Sequence, residues 1–311
     1  MPHRRTCLPH LVTFPLVFLL VLALAACDGG VPVGGGAALT GVSTNSDLDE
    51  VSGMAASRVQ PGRLWLHDDS GNPPRLFAIS PHATDLGTWT VEDAGKVDWE
   101  DIASFDEHGK PYLLIADTGD NGGVRKVLTL LAVPEPQAGA RGDTVRPAWR
   151  VQFRWPDGAR DCEAMTVDER AGVALLITKK RQPPQLFEVP LHPTTAGVQT
   201  AKLVGLLPDI PQPDARDIAD NPTLAKLSTQ VTAADLSPDG LTLAVLTYRH
   251  VLLYRRDSRD MPWHEAFVRH PPRELPMPLL PQPEAIAWSQ DGQRLYLSGE
   301  MAPALIYAVT P

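Results

Sequence analysis

The sequence predicts an all-β fold, a single β-propeller of five blades, and three observations carry that prediction. Five small, apolar segments recur, beginning at Ser52, Glu100, Glu163, Thr232 and Glu284, so that successive starts are 48, 63, 69 and 52 residues apart. Each is followed by a polar turn of Asp-Gly or Pro-Gly character. Each turn leads into two further hydrophobic runs of strand length. Strand, turn, strand, turn, strand at a repeat of this size is the pattern of a propeller blade. A β-sandwich would not account for five matched starts. The long stretches before Glu163 and Thr232 leave six blades as the alternative.

The chain opens with a short basic segment, Met1–His10, carrying Arg4 and Arg5. Leu11–Ala26 then runs for sixteen residues without a charge, with Thr13 its one polar side chain. This is the charged-then-apolar pattern of a signal peptide, shorter than the ~20 residues of a spanning helix and broken by Pro15. Leu24-Ala-Ala-Cys27 resembles the lipobox of bacterial lipoproteins. That resemblance implies cleavage before Cys27, with diacylglycerol on its sulfur and an acyl chain such as palmitate on the new amino group. Several acyl chains give stable membrane attachment where one does not. Asp28 resembles the inner-membrane retention signal of such proteins, which points to the periplasmic face of the inner membrane, with the outer membrane as the alternative. The expected domains are therefore a signal peptide over 1–26, a lipidated cysteine with a flexible Gly-rich tether over 27–38, and the propeller over 39–311.

The blades follow in order. First strands start at the five positions given above. Second strands are expected at Arg63–Leu66, Pro111–Ile115, Val173–Ile177, Leu241–Leu246 and Arg294–Leu297. Third strands are expected at Arg75–Ile79, Val127–Val133, Gln185–Val189, Val251–Tyr254 and Ala304–Val309. Fourth strands are fainter, at Gly87–Val91, Ala148–Trp155, Ala201–Leu207 and Ala266–His270. The last blade reaches Pro311 without one, and Leu39–Asn45 is expected to supply it and close the ring. A short helical turn is expected near Asn221–Leu227.

Composition narrows the partners. The net charge is −9 and no basic stretch dominates, which argues against nucleic acid. Of three cysteines, Cys7 is removed and Cys27 lipidated, so Cys162 has no intrachain partner and reads as a buried thiol.

The propeller geometry then sorts the polar residues. First-strand starts and second-strand ends lie at one rim of the channel. The starts bring Glu100 with Asp101, Asp161 with Glu163, and Glu284. The second-strand ends bring His67, Asp68, Asp69 and Asn72; Asp117, Asp120 and Asn121; Lys179 and Lys180; Tyr248 and Arg249; and Glu300. Like charges crowded around a channel require protons, a cation or basic partners. Glu100, Asp101, Asp117, Asp120, Asn121, Glu163 and Glu284 form an all-oxygen donor set suited to a hard cation such as Ca²⁺. Asp68, Asp69, Asn72, Arg125, Lys179, Lys180, Tyr248, Arg249 and Glu300 are candidates for a small anionic ligand. Glu100, Glu163, Glu284 and His67 are the candidates for acid–base work. The plainer reading of each cluster is a turn cap or ion pair, and of His67 a hydrogen-bonded structural histidine.

Leu64–Leu76 (LWLHDDSGNPPRL), Asp98–Ala103 (DWEDIA), Ile115–Arg125 (IADTGDNGGVR) and Trp155–Met165 resemble a family of bacterial β-propeller lipoproteins with DWEDIA and GDxGDN-type runs. Val231–Gly240, Thr247-Tyr248 and Pro283–Ala287 fit it too, whereas Leu246 stands where a basic residue is expected before Thr-Tyr. More distantly the chain resembles phytase-like and lactonase-like propellers, and that likeness implies Ca²⁺ among acidic residues at the channel mouth. Two functions follow as expectations. One is a membrane-anchored periplasmic propeller binding a metal or small anion, with Ca²⁺-dependent hydrolysis as its enzymatic form. The other is a non-enzymatic scaffold for an envelope protein or glycan.

Overall fold

A computed structural model describes residues 31–32, 36–137 and 144–311. The expected signal segment over 1–26 and Cys27 lie outside the described residues. Five sheets follow one another along the chain, antiparallel except for a two-residue parallel strand at the outer edge of two of them. Their innermost strands are Val51–Ala56, Trp99–Glu107, Ala164–Asp168, Val231–Leu236 and Pro283–Trp288. Each packs on the next, and the fifth packs back on the first, so the ring closes at five blades. The fifth takes its outer strand from Ala37–Val42, paired antiparallel with Leu305–Val309.

Side-chain alternation explains why the strands read as continuous hydrophobic runs. Successive residues of a strand point to opposite faces, and here both faces are covered by a neighbouring blade. Leu64 and Leu66 join the core between blades 1 and 5, while Trp65 between them joins the core between blades 1 and 2. Five such cores lie between the five pairs of adjacent blades. Hairpins at the far rim close on glycines with positive φ, as Gly240 and Gly292 show at 68° each, a conformation that costs a residue with a β-carbon.

Below the mouth, carboxylates bind the blades to one another. Asp101 Oδ2 accepts from the amides of Met165 (2.8 Å) and Ala234 (3.2 Å), and Oδ1 from Ile102 (2.9 Å). One side chain thus links blades 2, 3 and 4. Asp235 on blade 4 repeats the device for blades 3, 4 and 5, accepting from Thr166 Oγ1 (3.1 Å) and the Trp288 amide (2.7 Å).

Three expectations need correction. The fourth strand of blade 4 is Arg273–Leu275, and the expected Ala266–His270 lies in a helix, Trp263–Arg269. Trp263, Ala266 and Phe267 recur at helical spacing and are buried, so their period is 3.6 rather than 2. The closing strand begins at Ala37 instead of Leu39, because Ala37 packs into the core between blades 4 and 5. Val31–Pro32 also pairs antiparallel with Ala38–Leu39, so part of the stretch read as a tether is strand. The long stretch before Thr232 holds two short helices, Ala215–Asp220 and Pro222–Leu227, in place of a sixth blade. Among the described residues no helix is long and apolar enough to cross a membrane.

Candidate functional site

One backbone feature builds the mouth. In four blades the register between first and second strands slips by a residue, and the residue left unpaired is Ser52, Glu100, Thr232 or Glu284. These are four of the five aligned starts read from the sequence. A β-bulge re-aims a side chain at the end of a strand. In blade 3 Glu163 takes the same place, directly before the strand that begins at Ala164. Ser52 and Thr232 spend their hydroxyls on the neighbouring blade, donating to the carbonyls of Glu100 (3.0 Å) and Pro283 (2.7 Å). The three glutamates face the channel.

They line a cavity of about 310 Å³ together with Asp69, Asn121, Lys179, Lys180, Leu227, Gln230, Tyr248 and Glu300. Nine of the residues expected at the rim therefore meet there. Two triads of carboxylates share Glu100: Asp69, Asp98 and Glu100, and Glu100, Asp161 and Glu163. Within each triad one oxygen per residue lies within 4.8 Å of the others. Asp98 and Asp161, which complete the triads, were not among the expected metal ligands. Leu227 and Gln230 come from the helical insertion.

The two triads differ in charge balance. Glu163 pairs with Lys179, and Asp161 Oδ2 with Lys180 Nζ at 2.7 Å. Lys180 also donates to Asn121 Oδ1 at 2.8 Å. Lys179 lies 5.2 Å from the centre of the Tyr248 ring, and Tyr248 Oη donates to Glu284 Oε1 at 2.7 Å. Asp69, Asp98 and Glu100 have no ion-pair partner among the described residues.

Proton affinities follow from this crowding. Burial, then Glu163, Asp69, Asp98 and Asp161, push Glu100 well above the usual carboxylate range. Burial and Asp69 raise Asp98 to about 6. Burial raises Glu284 to about 7, with Lys179 and the Tyr248 hydroxyl pulling the other way. Burial works against the charge on Lys179, but Glu163, Tyr248 and Glu284 together outweigh it and raise its pKa.

Several expected site residues are committed elsewhere. His67 is buried against the Trp99 ring, beneath Gly53, and away from the cavity. Burial, then Lys96, lower its pKa to about 4, so it stays neutral and is no base for the mouth. Asp68 is buried outside the cavity lining. Asp101 gives its oxygens to three amides and has no place for a metal. Asp117 holds the amides of Val97 and Asp98 and the Arg125 guanidinium (2.6 Å). Asp120 caps its own loop by accepting from the amides of Val124 and Arg125. Arg125 is thereby spent on Asp117 and the Gly119 carbonyl. Arg249 pairs with Asp217 at 2.6 Å, and Asn72 with Glu50 at 2.8 Å, both outside the cavity lining. Tight turns need such caps, which is why polar residues gather there without serving a ligand.

No family model matches the chain, and no curated protein matches it in sequence. Solved structures of similar fold include a luciferin-regenerating enzyme, at 9% identity over 87% of this chain and 95% of that one, with a TM-score of 0.41. A nidogen/laminin complex also matches, at 12% identity over 81% of this chain and 73% of that one, with a TM-score of 0.44. At these values neither likeness bears on function.

Proposed function

We propose that the protein is a lipid-anchored propeller of the bacterial cell envelope whose channel mouth binds Ca²⁺ through Asp69, Asp98 and Glu100, with a small anionic ligand beside it. The observation that carries this reading is a three-carboxylate group without an ion-pair partner at the channel mouth, beside a second triad in which Glu163 and Asp161 already have lysines. Three features fit a hard cation. The donors are all oxygens. The Gly119 backbone passes so close that a β-carbon there would overlap Glu100 Oε1 and the Asp98 carboxylate, so the chain leaves these groups room only as glycine. In the adjoining triad Glu163 Oε2 is buried without a partner.

Lys180 reaches the cavity with 43% of its side chain exposed and offers a charge to a phosphate or carboxylate. The enzymatic form of the reading is hydrolysis of a phosphoester, lactone or ester. A bound cation would supply Lewis-acid polarisation there. Glu284, at about 7 and held by Tyr248, is the carboxylate suited to take a proton. The scaffold reading is favoured by Lys179 and Glu163, whose mutual pairing leaves neither free for chemistry. Envelope attachment is supported by Leu11–Ala26 and the Leu24–Cys27 sequence.

The test is thermal unfolding with chelator and with added Ca²⁺. Ca²⁺ should raise the melting temperature of the wild type and leave Asp98→Asn unchanged, and equal melting of wild type with and without Ca²⁺ would sink the metal site. A panel of chromogenic phosphate esters, lactones and acyl esters on the Ca²⁺-loaded protein then separates enzyme from scaffold.

A further inference from the structure

The mouth face carries a second kind of feature. Twelve large apolar side chains stand exposed among the described residues, and nine of them lie on the loops or strand ends of this one face. They include Leu279 (94% exposed), Val124 (74%), Leu224, Val97, Ile218 and Met301. The hairpins between first and second strands at the opposite rim have none of the twelve, while Val198 and Val268 lie in the third-to-fourth-strand connections that leave that rim. Exposed apolar side chains gathered on one face mark a docking surface.

The course of the chain says what covers it. The closing strand Ala37–Val42 ends at the mouth, where Val42 pairs with Leu305, the first residue of its partner strand. Val31 pairs with Leu39 and Pro32 with Ala38, antiparallel, so moving from Pro32 back to Val31 is moving toward the mouth. Leu39 lies three residues from Val42, about 10 Å along a strand. Cys27 is four residues before Val31, a reach of at most about 14 Å. Val31 stands about 7 Å from the opposite end of the strand at Ala37, so it is the direction of the chain, running toward the mouth as it goes back to Cys27, that favours the mouth side for the lipid.

We propose that the mouth face lies against a zwitterionic phospholipid surface, the membrane that holds the lipid of Cys27. This rests on the lipid anchoring proposed above. The apolar side chains enter the interface as those of an amphipathic surface do. Zwitterionic lipid is favoured over anionic because exposed acids such as Asp47, Asp49 and Asp220 balance exposed Lys126, Arg181 and Lys226 on this face, which leaves no excess of basic charge to draw it to an anionic leaflet. The cavity then opens onto the headgroup layer, and its anionic ligand is a phosphate or carboxylate presented at that layer.

The test uses the full, processed protein in phosphatidylcholine vesicles. Single cysteines carrying a fluorescent label are placed at the mouth (Val124→Cys, Leu279→Cys, Met301→Cys) and at the opposite hairpins (Lys110→Cys, Gln290→Cys). Cys162 is buried and should not label. Spin-labelled lipid should quench the mouth positions at least twofold more than the hairpin positions. Equal quenching, or stronger quenching at the hairpins, overturns the proposal. Mouth labels that are shielded only when other envelope proteins are added overturn it in favour of a protein partner. Should wild type and Cys27→Ser both wash from the vesicles, the anchoring itself fails and the orientation with it, while the Ca²⁺ titration still reports on the metal site.

Discussion

Gly119 and Glu100 are packed backbone against carboxylate: a β-carbon on Gly119 would overlap Glu100 Oε1 and press on Asp98. Gly119 is not at a positive φ, so what demands glycine is space rather than backbone conformation. Gly119→Ala should cost about 1–3 kcal/mol, the range for overpacking a filled site. It should also abolish the rise in melting temperature caused by Ca²⁺. Gly122→Ala, whose β-carbon meets nothing nearer than 3.8 Å, is the control and should keep the Ca²⁺ response. A Gly119→Ala protein that still responds to Ca²⁺ would remove the seat from this triad.

Cation binding should release protons. Glu100 lies well above the usual range, Asp98 at about 6 and Glu284 at about 7. At pH 6 Glu100 and part of the Asp98 population hold protons that a cation must displace, so affinity should rise from pH 5 to pH 8, by at most about tenfold per pH unit for each proton released. Calorimetry in buffers of different ionisation enthalpy reads the proton number directly. Affinity that is flat over this range would mean that Asp98 and Glu100 are not the ligands.

The mouth was legible in the sequence because the repeats mark it. Each aligned start is a position where a bulge, or the residue before the strand, re-aims a side chain, and the three glutamates among them turn into the channel. What was missed has a signal of its own. Asp98-Trp99-Glu100 and Asp161-Cys162-Glu163 share one spacing, with a buried apolar residue between two acids, and alternation sends both acids of each pair to the same side. The caps were misread for the opposite reason. Asp117, Asp120 and Arg125 look like ligands by type, but only the folded loop shows which amides and guanidinium consume their oxygens and charge. The outer strand of blade 4 was misplaced at Ala266–His270 because Ala266-Phe267-Val268 is a short apolar run, and only with Trp263 included does the helical period show.

Asp101 separates architecture from metal binding. Removing its carboxylate in Asp101→Ala leaves the amides of Met165 and Ala234, on two other blades, without acceptors. Each buried orphan costs about 1–3 kcal/mol, so the variant should lose several kcal/mol in denaturant unfolding. Any folded fraction should bind Ca²⁺ with the wild-type affinity. Loss of Ca²⁺ binding without loss of stability would return Asp101 to the ligand set.

Lys179 and Glu163 form a buried pair, each less than a tenth exposed. Breaking such a pair from one side costs about 3–5 kcal/mol, because the remaining charge is stranded. Lys179→Met should therefore destabilise strongly, and Glu163→Gln likewise. The double variant should cost less than the sum of the two. Additive losses across this cycle would show that the two charges act independently.

His67 sets an acid limit to the fold. Its pKa falls from 6.5 in the free side chain to about 4 in the native state, since burial and Lys96 oppose its charge. The unfolded chain therefore binds the proton first, and stability is lost as pH drops from 6.5 toward 4. By the ~1.4 kcal/mol per pKa unit of linkage, this single group accounts for about 3 kcal/mol over that window. His67→Gln removes the titration, so its stability should fall less steeply between pH 6.5 and 4 than that of the wild type. Its Ca²⁺ affinity at pH 7.5 should be unchanged, because His67 does not line the cavity. Equal slopes for variant and wild type would mean that His67 is reached by water and titrates in the native state.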